Sequence, residues 1–267
     1  MKKLCLITVF LLSSLFFGQD VKPFFNESMV FHVVWKGMHM GTVVMKTKTK
    51  PEKKVLRAFS TIKTFKLLQN FYYIGGYFGA EWNYAQKKPV RAFEEVYQGK
   101  HYQKRAFLFK GDKVLVVKHE KKFKEYNYPH TQPIKDEKKK EWIQAPGYQD
   151  LLGAFYYMRA AGRTMRVGEV TTLKVLPAGS KKKLILKILA KKTVSTKPFG
   201  KKTVYHVRSG LMKADGKPAQ GGNIFLKTKS PIDMYITDDA NRLPVKIWAT
   251  LPYVGRLEVQ LVKYSQP

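Results

Sequence analysis

The chain has 267 residues, with 50 lysines and arginines against 19 acidic residues and a net charge of +31. Its only cysteine is Cys5. A field of this sign favours anionic partners, and a chain beyond Cys5 without a thiol has no disulfides, thiolate nucleophiles or cysteine-ligated metal centres.

Residues 1–18 open with Met1-Lys2-Lys3, continue through an almost wholly apolar run from Leu4 to Phe17 and end at Gly18. A basic start, a short apolar run and a small residue at the break describe a cleavable signal peptide, cut between Gly18 and Gln19. The run is shorter than the roughly 20 apolar residues of a membrane span. Cys5 lies inside it rather than at the cleavage point, which makes it a poor lipid acceptor. The expected location is therefore periplasmic or extracellular, with peripheral membrane contact open and no transmembrane span after cleavage. Losing Lys2 and Lys3 leaves a charge of +29 on about 249 residues, enough to bury a core without staples. Export disfavours nucleic acid as the anion. Lipid phosphate, lipopolysaccharide or an anionic glycan is better placed to meet the charge. The lysines are also spread in pairs and triplets along the chain, as on solvated strand faces and edges that resist aggregation.

Beyond the leader, period-two alternation dominates. Phe31, Val33 and Trp35 alternate with Val30, His32 and Val34 up to Lys36-Gly37, and a second run covers Gly41 to Lys48, so residues 29–48 read as a hairpin. A stretch from Phe65 to Phe71 reads as weakly helical or irregular. Gly111-Asp112 separates two runs, 105–110 and 113–119, as a second hairpin, and the lysine-rich segment 130–141 reads as an exposed loop. From Tyr148 to Ala161 the period becomes helical, with Leu151, Leu152, Phe155 and Met158 in one stripe. Pro146-Gly147 stands before it, Asp150 in its first turn, and Gly162 where a terminating glycine belongs. Later, Leu184, Leu186 and Ile188 share a strand face, and further strands are expected near 203–209, 223–229, 232–237, 244–250 and 255–264. Asp238-Asp239-Ala240-Asn241 forms a turn between two of them. The pattern describes an all-β chain with one short central helix, read as a single domain over 19–267 with two strand-rich halves.

Three segments, Glu27 to Lys46, Asp150 to Arg159 and Met234 to Tyr264, resemble the exported bacterial family named domain of unknown function 3108. Trp35, Gly37 and Gly41 match its opening strand and hairpin, Asp150, Tyr156 and Arg159 its mid-chain helix. Asp238, Asp239, Arg242, Pro244 and Val245 match its closing turn, and Gly153-Ala154 departs mildly from its usual small polar–alanine pair. The resemblance implies export and a large antiparallel sheet curved into an open or incomplete barrel, and it implies no activity.

Catalytic and metal constellations are not expected. His32, His39, His101, His119, His130 and His206 are isolated from one another in sequence, and no metal-ligand spacing or nucleophile elbow occurs. Asp238 and Asp239, like Glu94 and Glu95, are adjacent and would point apart on a strand. Asp150 and Arg159 are too far apart along a helix to bond each other. Arg159 either reaches a sheet carboxylate or holds a ligand phosphate at a cavity mouth. The aromatic residues Trp35, Trp82, Tyr156 and Trp248, with Arg159, are the ligand-binding candidates, and no cofactor or metal is expected. Trp248 falls opposite Ile247 and Ala249, and Trp82 shares a face with Tyr84. The leading expectation is a non-enzymatic envelope protein that buries a lipid or glycolipid against aromatic side chains and pairs its charge with lysine and arginine. A structural or assembly factor docking on envelope protein or glycan is the alternative, and a cell-wall glycan hydrolase a weaker one.

Overall fold

The computed structural model describes residues 24, 26–65, 74–124, 132–160, 165–213, 215–217, 231–251 and 255–266. The expected signal peptide and its cleavage point, Cys5, His130, the strand near 223–229, the stretch 66–71 and Gly162 lie outside them. The chain first lays down β1 (Ser28–Trp35), β2 (Met38–Lys50), β3 (Val55–Thr64), β4 (Ile74–Asn83), β5 (Lys88–Gln98), β6 (His101–Lys110), β7 (Lys113–Lys122) and β8 (Lys135–Gln144). Helix α1 (Leu151–Ala160) follows, then β9 (Val170–Val175), β10 (Lys182–Thr196), β11 (Gly200–Lys213), β12 (Ile232–Thr237), β13 (Pro244–Leu251) and β14 (Gly255–Ser265). All lie in one 14-stranded sheet in the order β8-β7-β6-β5-β4-β3-β2-β1-β14-β13-β12-β11-β10-β9, each neighbour antiparallel. Two meanders thus meet where β1 pairs with β14, and β8 and β9 are the two edges. Among the described residues the sheet is not closed into a barrel; Gln149, just after β8, makes a parallel bridge to Val175 at the end of β9.

Local chemistry explains the turns. Lys36 and Gly37 both have positive φ, 47° and 82°, which suits the two-residue turn that joins strands of native twist. Asp150 caps α1: its Oδ1 accepts from the Gly153 N–H at 2.7 Å. A Cβ on Gly153 would lie 2.6 Å from Asp150 Oδ2, so the small residue here leaves room for the capping carboxylate. Asp239 closes the β12–β13 turn by accepting from the Thr237 hydroxyl and from the N–H groups of Asn241 and Arg242.

The sheet wraps around α1. Leu152 packs both on a cluster containing Phe31, Val43, Leu56, Val245 and Leu261 and on a second containing Ala92, Phe107, Val114 and Val116. Met158 packs on a third, with Ile188, Val207 and Ile236. One ten-residue helix touching both meanders requires the sheet to curve around it. Consequently burial is not confined to the stripe of Leu151, Leu152, Phe155 and Met158; Ala154, Tyr156 and Arg159 are the most deeply enclosed.

Two expectations need correction. The lysine-rich segment forms a strand from Lys135 onward, not a loop. Among the described residues it pairs only with β7, and its side chains from 135 to 140 are all exposed, so no apolar alternation marks it; charged side chains are what a free edge carries. The helix begins at Leu151 rather than Tyr148, because Gln149 donates to the Lys174 carbonyl and accepts from the Leu176 N–H, holding 149 to the second meander.

Candidate functional site

Two of the five candidate residues, Tyr156 and Arg159, meet inside the sheet, with the Arg159 guanidinium 5.4 Å from the Tyr156 ring centre; a third, Trp82, is buried against the same helix. Arg159, on the last turn of α1, forms a bidentate ion pair with Glu27 at 2.6 and 2.7 Å, both side chains fully enclosed. Its guanidinium also donates to the Asn241 carbonyl at 2.9 and 3.1 Å and lies over the Phe24 ring at 4.1 Å. Glu27 is fixed from the other side, its N–H donating to the Thr47 hydroxyl. Arg159 therefore ties the helix to the start of β1 and to the β12–β13 turn, with no exposed donor at a rim. Tyr156 packs against Phe24 with ring centres 6.2 Å apart, and burial together with the Glu27 charge holds its hydroxyl well above the ordinary phenol range; that hydroxyl makes no hydrogen bond of regular geometry. Trp82 is buried beneath Tyr157, edge to face at 6.1 Å.

Asp150 is the unusual titratable group of this interior. Burial pushes its carboxyl up from 3.8 to about 6, against the opposing hydrogen bonds of the helix N-terminus, with Glu94 adding to the rise. Oδ2 has no hydrogen-bond partner. Nearby on β5–β7, buried Arg105 bridges Glu94 at 2.8 Å and Glu120 at 2.7 Å.

Trp35 and Trp248 stand apart from this cluster and from each other. Trp35 lies at the end of β1 opposite Leu257 and Met38, with Lys36 Nζ 5.1 Å from its ring centre. Trp248 occupies the opposite face of the sheet from Ile247, which pairs with core residue Val259. There the register aligns Arg208, Asp233, Trp248 and Glu258 in one row, and His206, Tyr235, Lys246, Gln260 and His32 in the next.

This outer face gathers rings and cations. Trp248 contacts Tyr235 edge to face at 4.6 Å and His206 at 5.4 Å. Arg256 lies over Trp248 at 5.0 Å and Lys192 over Tyr235 at 4.6 Å. Asp233 accepts from His206 at 2.8 Å and Arg208 at 3.0 Å. Glu258 meets Lys246 at 2.8 Å and Arg256 at 2.9 Å. Burial raises the Glu258 carboxyl, but Lys246, Gln260 and Arg256 outweigh it and hold the group below the usual range. Farther along, His32 and His39 stack at 3.8 Å, and Phe65 meets His39 edge-on at 4.6 Å. Burial, then His39 and Lys197, lowers the His32 imidazole from its ordinary value. Among the described residues no group of three histidines, cysteines or carboxylates is placed to hold a metal.

Of these outer residues only Trp248 stood among the sequence candidates. Tyr235 and His206 lie on strands the alternation anticipated, but their meeting depends on the register of β11, β12 and β13, which sequence periodicity does not carry.

The family described as "Protein of unknown function (DUF3108)" matches residues 30–262. No curated protein matches the chain. Among solved structures, the chain is similar to a beta-barrel-like protein of domain of unknown function DUF1849 from Brucella abortus, at 11% identity and a TM-score of 0.59, over 92% of this chain and 99% of that one. Identity this low carries the fold alone.

Proposed function

The chain belongs to the DUF3108 family, a family of unknown function, and from that premise we propose that it is an exported, non-enzymatic envelope protein that binds an anionic glycan or glycolipid headgroup on the outer face around Trp248. The observation that carries this reading is the Trp248–Tyr235–His206 cluster with Arg208, Lys246, Arg256 and Lys192 around it. Sugar rings stack their C–H faces on aromatic rings, and guanidinium and ammonium groups pair with phosphate or carboxylate substituents. Gln260, Asp233 and Glu258 add acceptors for sugar hydroxyls on the same face. The interior is a poorer place for a ligand, because α1 and the Arg159–Glu27 pair occupy it.

Binding without catalysis is supported by the state of the carboxylates. A glycan hydrolase needs one acid raised to donate a proton. Glu258 is instead held low by its cations, and Asp150, which is raised, is enclosed beneath the sheet. Export rests on the basic, then apolar, leader.

The test is a titration of the purified protein and its Trp248→Ala variant with lipopolysaccharide and, separately, with a soluble anionic cell-wall glycan. Binding that weakens about tenfold or more in the variant supports the reading. Equal binding by both proteins, or none by the parent, sinks it, and the two probes separate a lipid-linked source from a free glycan.

A further inference from the structure

Strands β6 and β7 are apolar on both faces. Phe107, Val114 and Val116 point into the core and are buried. Leu108, Leu115 and Val117, which alternate with them, lie on the outer face, where an antiparallel sheet ordinarily presents polar residues to water. The register sets Leu108 opposite Leu115, Leu115 opposite Trp142 of β8, and Val117 opposite Lys140. Leu108 is 36% exposed, Val117 40% and Trp142 51%, so these apolar side chains form one contiguous exposed patch on three adjacent strands.

Cations border it. Lys110 and Lys113 pair across the hairpin one row beyond Leu108 and Leu115, and Lys138 and Lys140 stand on the same face of β8. The neighbouring carboxylates are already engaged: Glu120 with Arg105, Asp136 with His119 and Lys121, and Glu141 with Lys118 and Lys139. Asp112 stands in the hairpin turn itself. Among the described residues, Lys110, Lys113, Lys138 and Lys140 are thus left without a carboxylate partner.

We propose that this patch is a docking surface for an anionic lipid bilayer. Trp142, Leu108, Leu115 and Val117 enter the headgroup–acyl boundary, where indole is favoured, while the lysines at the border meet lipid phosphates. An apolar patch alone would equally suit a protein partner. The unneutralised lysines around it, two of them on edge strand β8, select a surface of fixed negative charge. The inference stands on β6–β8 and is independent of the Trp248 cluster on β11–β14, so either can fail alone.

Sedimentation with vesicles of phosphatidylglycerol and phosphatidylethanolamine, compared with phosphatidylcholine vesicles, tests it. The parent protein binds the anionic vesicles with a blue shift of tryptophan emission. A Trp142→Ser, Leu108→Ser variant, altered only at exposed positions, loses binding about tenfold or more, and so does Lys110→Glu, Lys113→Glu, Lys140→Glu. A control with three exposed lysines changed elsewhere, Lys53→Glu, Lys187→Glu, Lys201→Glu, loses less than about threefold. Absence of vesicle binding by the parent overturns the proposal. So does equal loss in patch and control variants, or a concentration-dependent dimer that Trp142→Ser abolishes, which would make a second copy the occupant. Trp248→Ala binds vesicles like the parent.

Discussion

Arg159 and Glu27 show how a residue singled out for ligand chemistry can be claimed by the fold. Breaking a buried ion pair leaves one charge unpartnered and costs about 3–5 kcal/mol, and this pair is fully enclosed. Arg159→Ala is therefore expected to lower unfolding stability by that amount in denaturant titration. The double variant Arg159→Met, Glu27→Leu, which removes both charges, recovers much of the loss. Asp150 adds a pH dependence. Its folded carboxyl sits at about 6 against 3.8 as its ordinary value, so the native state binds the proton more tightly than the unfolded chain. The contribution is full below about pH 4 and is lost as pH rises through 6. Across that window the protein sheds up to roughly 3 kcal/mol. Asp150→Asn keeps the cap and removes this slope, so the variant gains on the parent as pH rises from about 4 to about 7.5; parallel pH profiles would refute the buried-acid account.

At the scale of elements, β8 is the instructive case. A free strand edge invites pairing with another chain, and lysines there oppose it. Replacing Lys135, Lys138 and Lys139 with threonine should leave the β7–β8 ladder intact while raising light scattering at high protein concentration. Unchanged scattering would mean that the edge is protected by something other than charge. The same strand shows why some elements escape a reading of periodicity. Where Lys135 to Lys140 expose every side chain, no core face alternates with a solvent face, and composition alone reads as loop. Conversely, β1, the β6–β7 hairpin, the Asp238–Asn241 turn and α1 were legible because alternation, Lys36-Gly37, Gly111-Asp112 and Asp150 are all local signals. Within residues 74–98, which hold β4 and β5, only the shared face of Trp82 and Tyr84 was legible, and glycines at 75, 76 and 79 dilute the rest of the pattern. The Trp248 cluster was legible only in part: its strands were foreseen, their register was not.

At the scale of the molecule, the two meanders share one helix, the β1–β14 seam and the core around Leu152 and Met158. Among the described residues, Leu152 joins the first two clusters and Met158 of the same helix packs on the third, so unfolding is expected to be one transition, with far-ultraviolet circular dichroism and tryptophan emission coincident. Two separated transitions would divide the halves. The curved sheet also gives the molecule two chemically different outer regions, the ring-and-cation face around Trp248 and the apolar patch bordered by lysine around Trp142. In this account one grips a headgroup and the other rests on the bilayer that holds it.

Native mass spectrometry of the protein purified from its own envelope, followed by organic extraction, decides whether the Trp248 face carries a ligand. An added mass at fixed stoichiometry is expected, identified as an anionic glycan or glycolipid, present on the parent and on Trp142→Ser but missing from Trp248→Ala. A bare polypeptide mass for the parent, or an added mass that Trp248→Ala retains in full, would contradict the proposed binding.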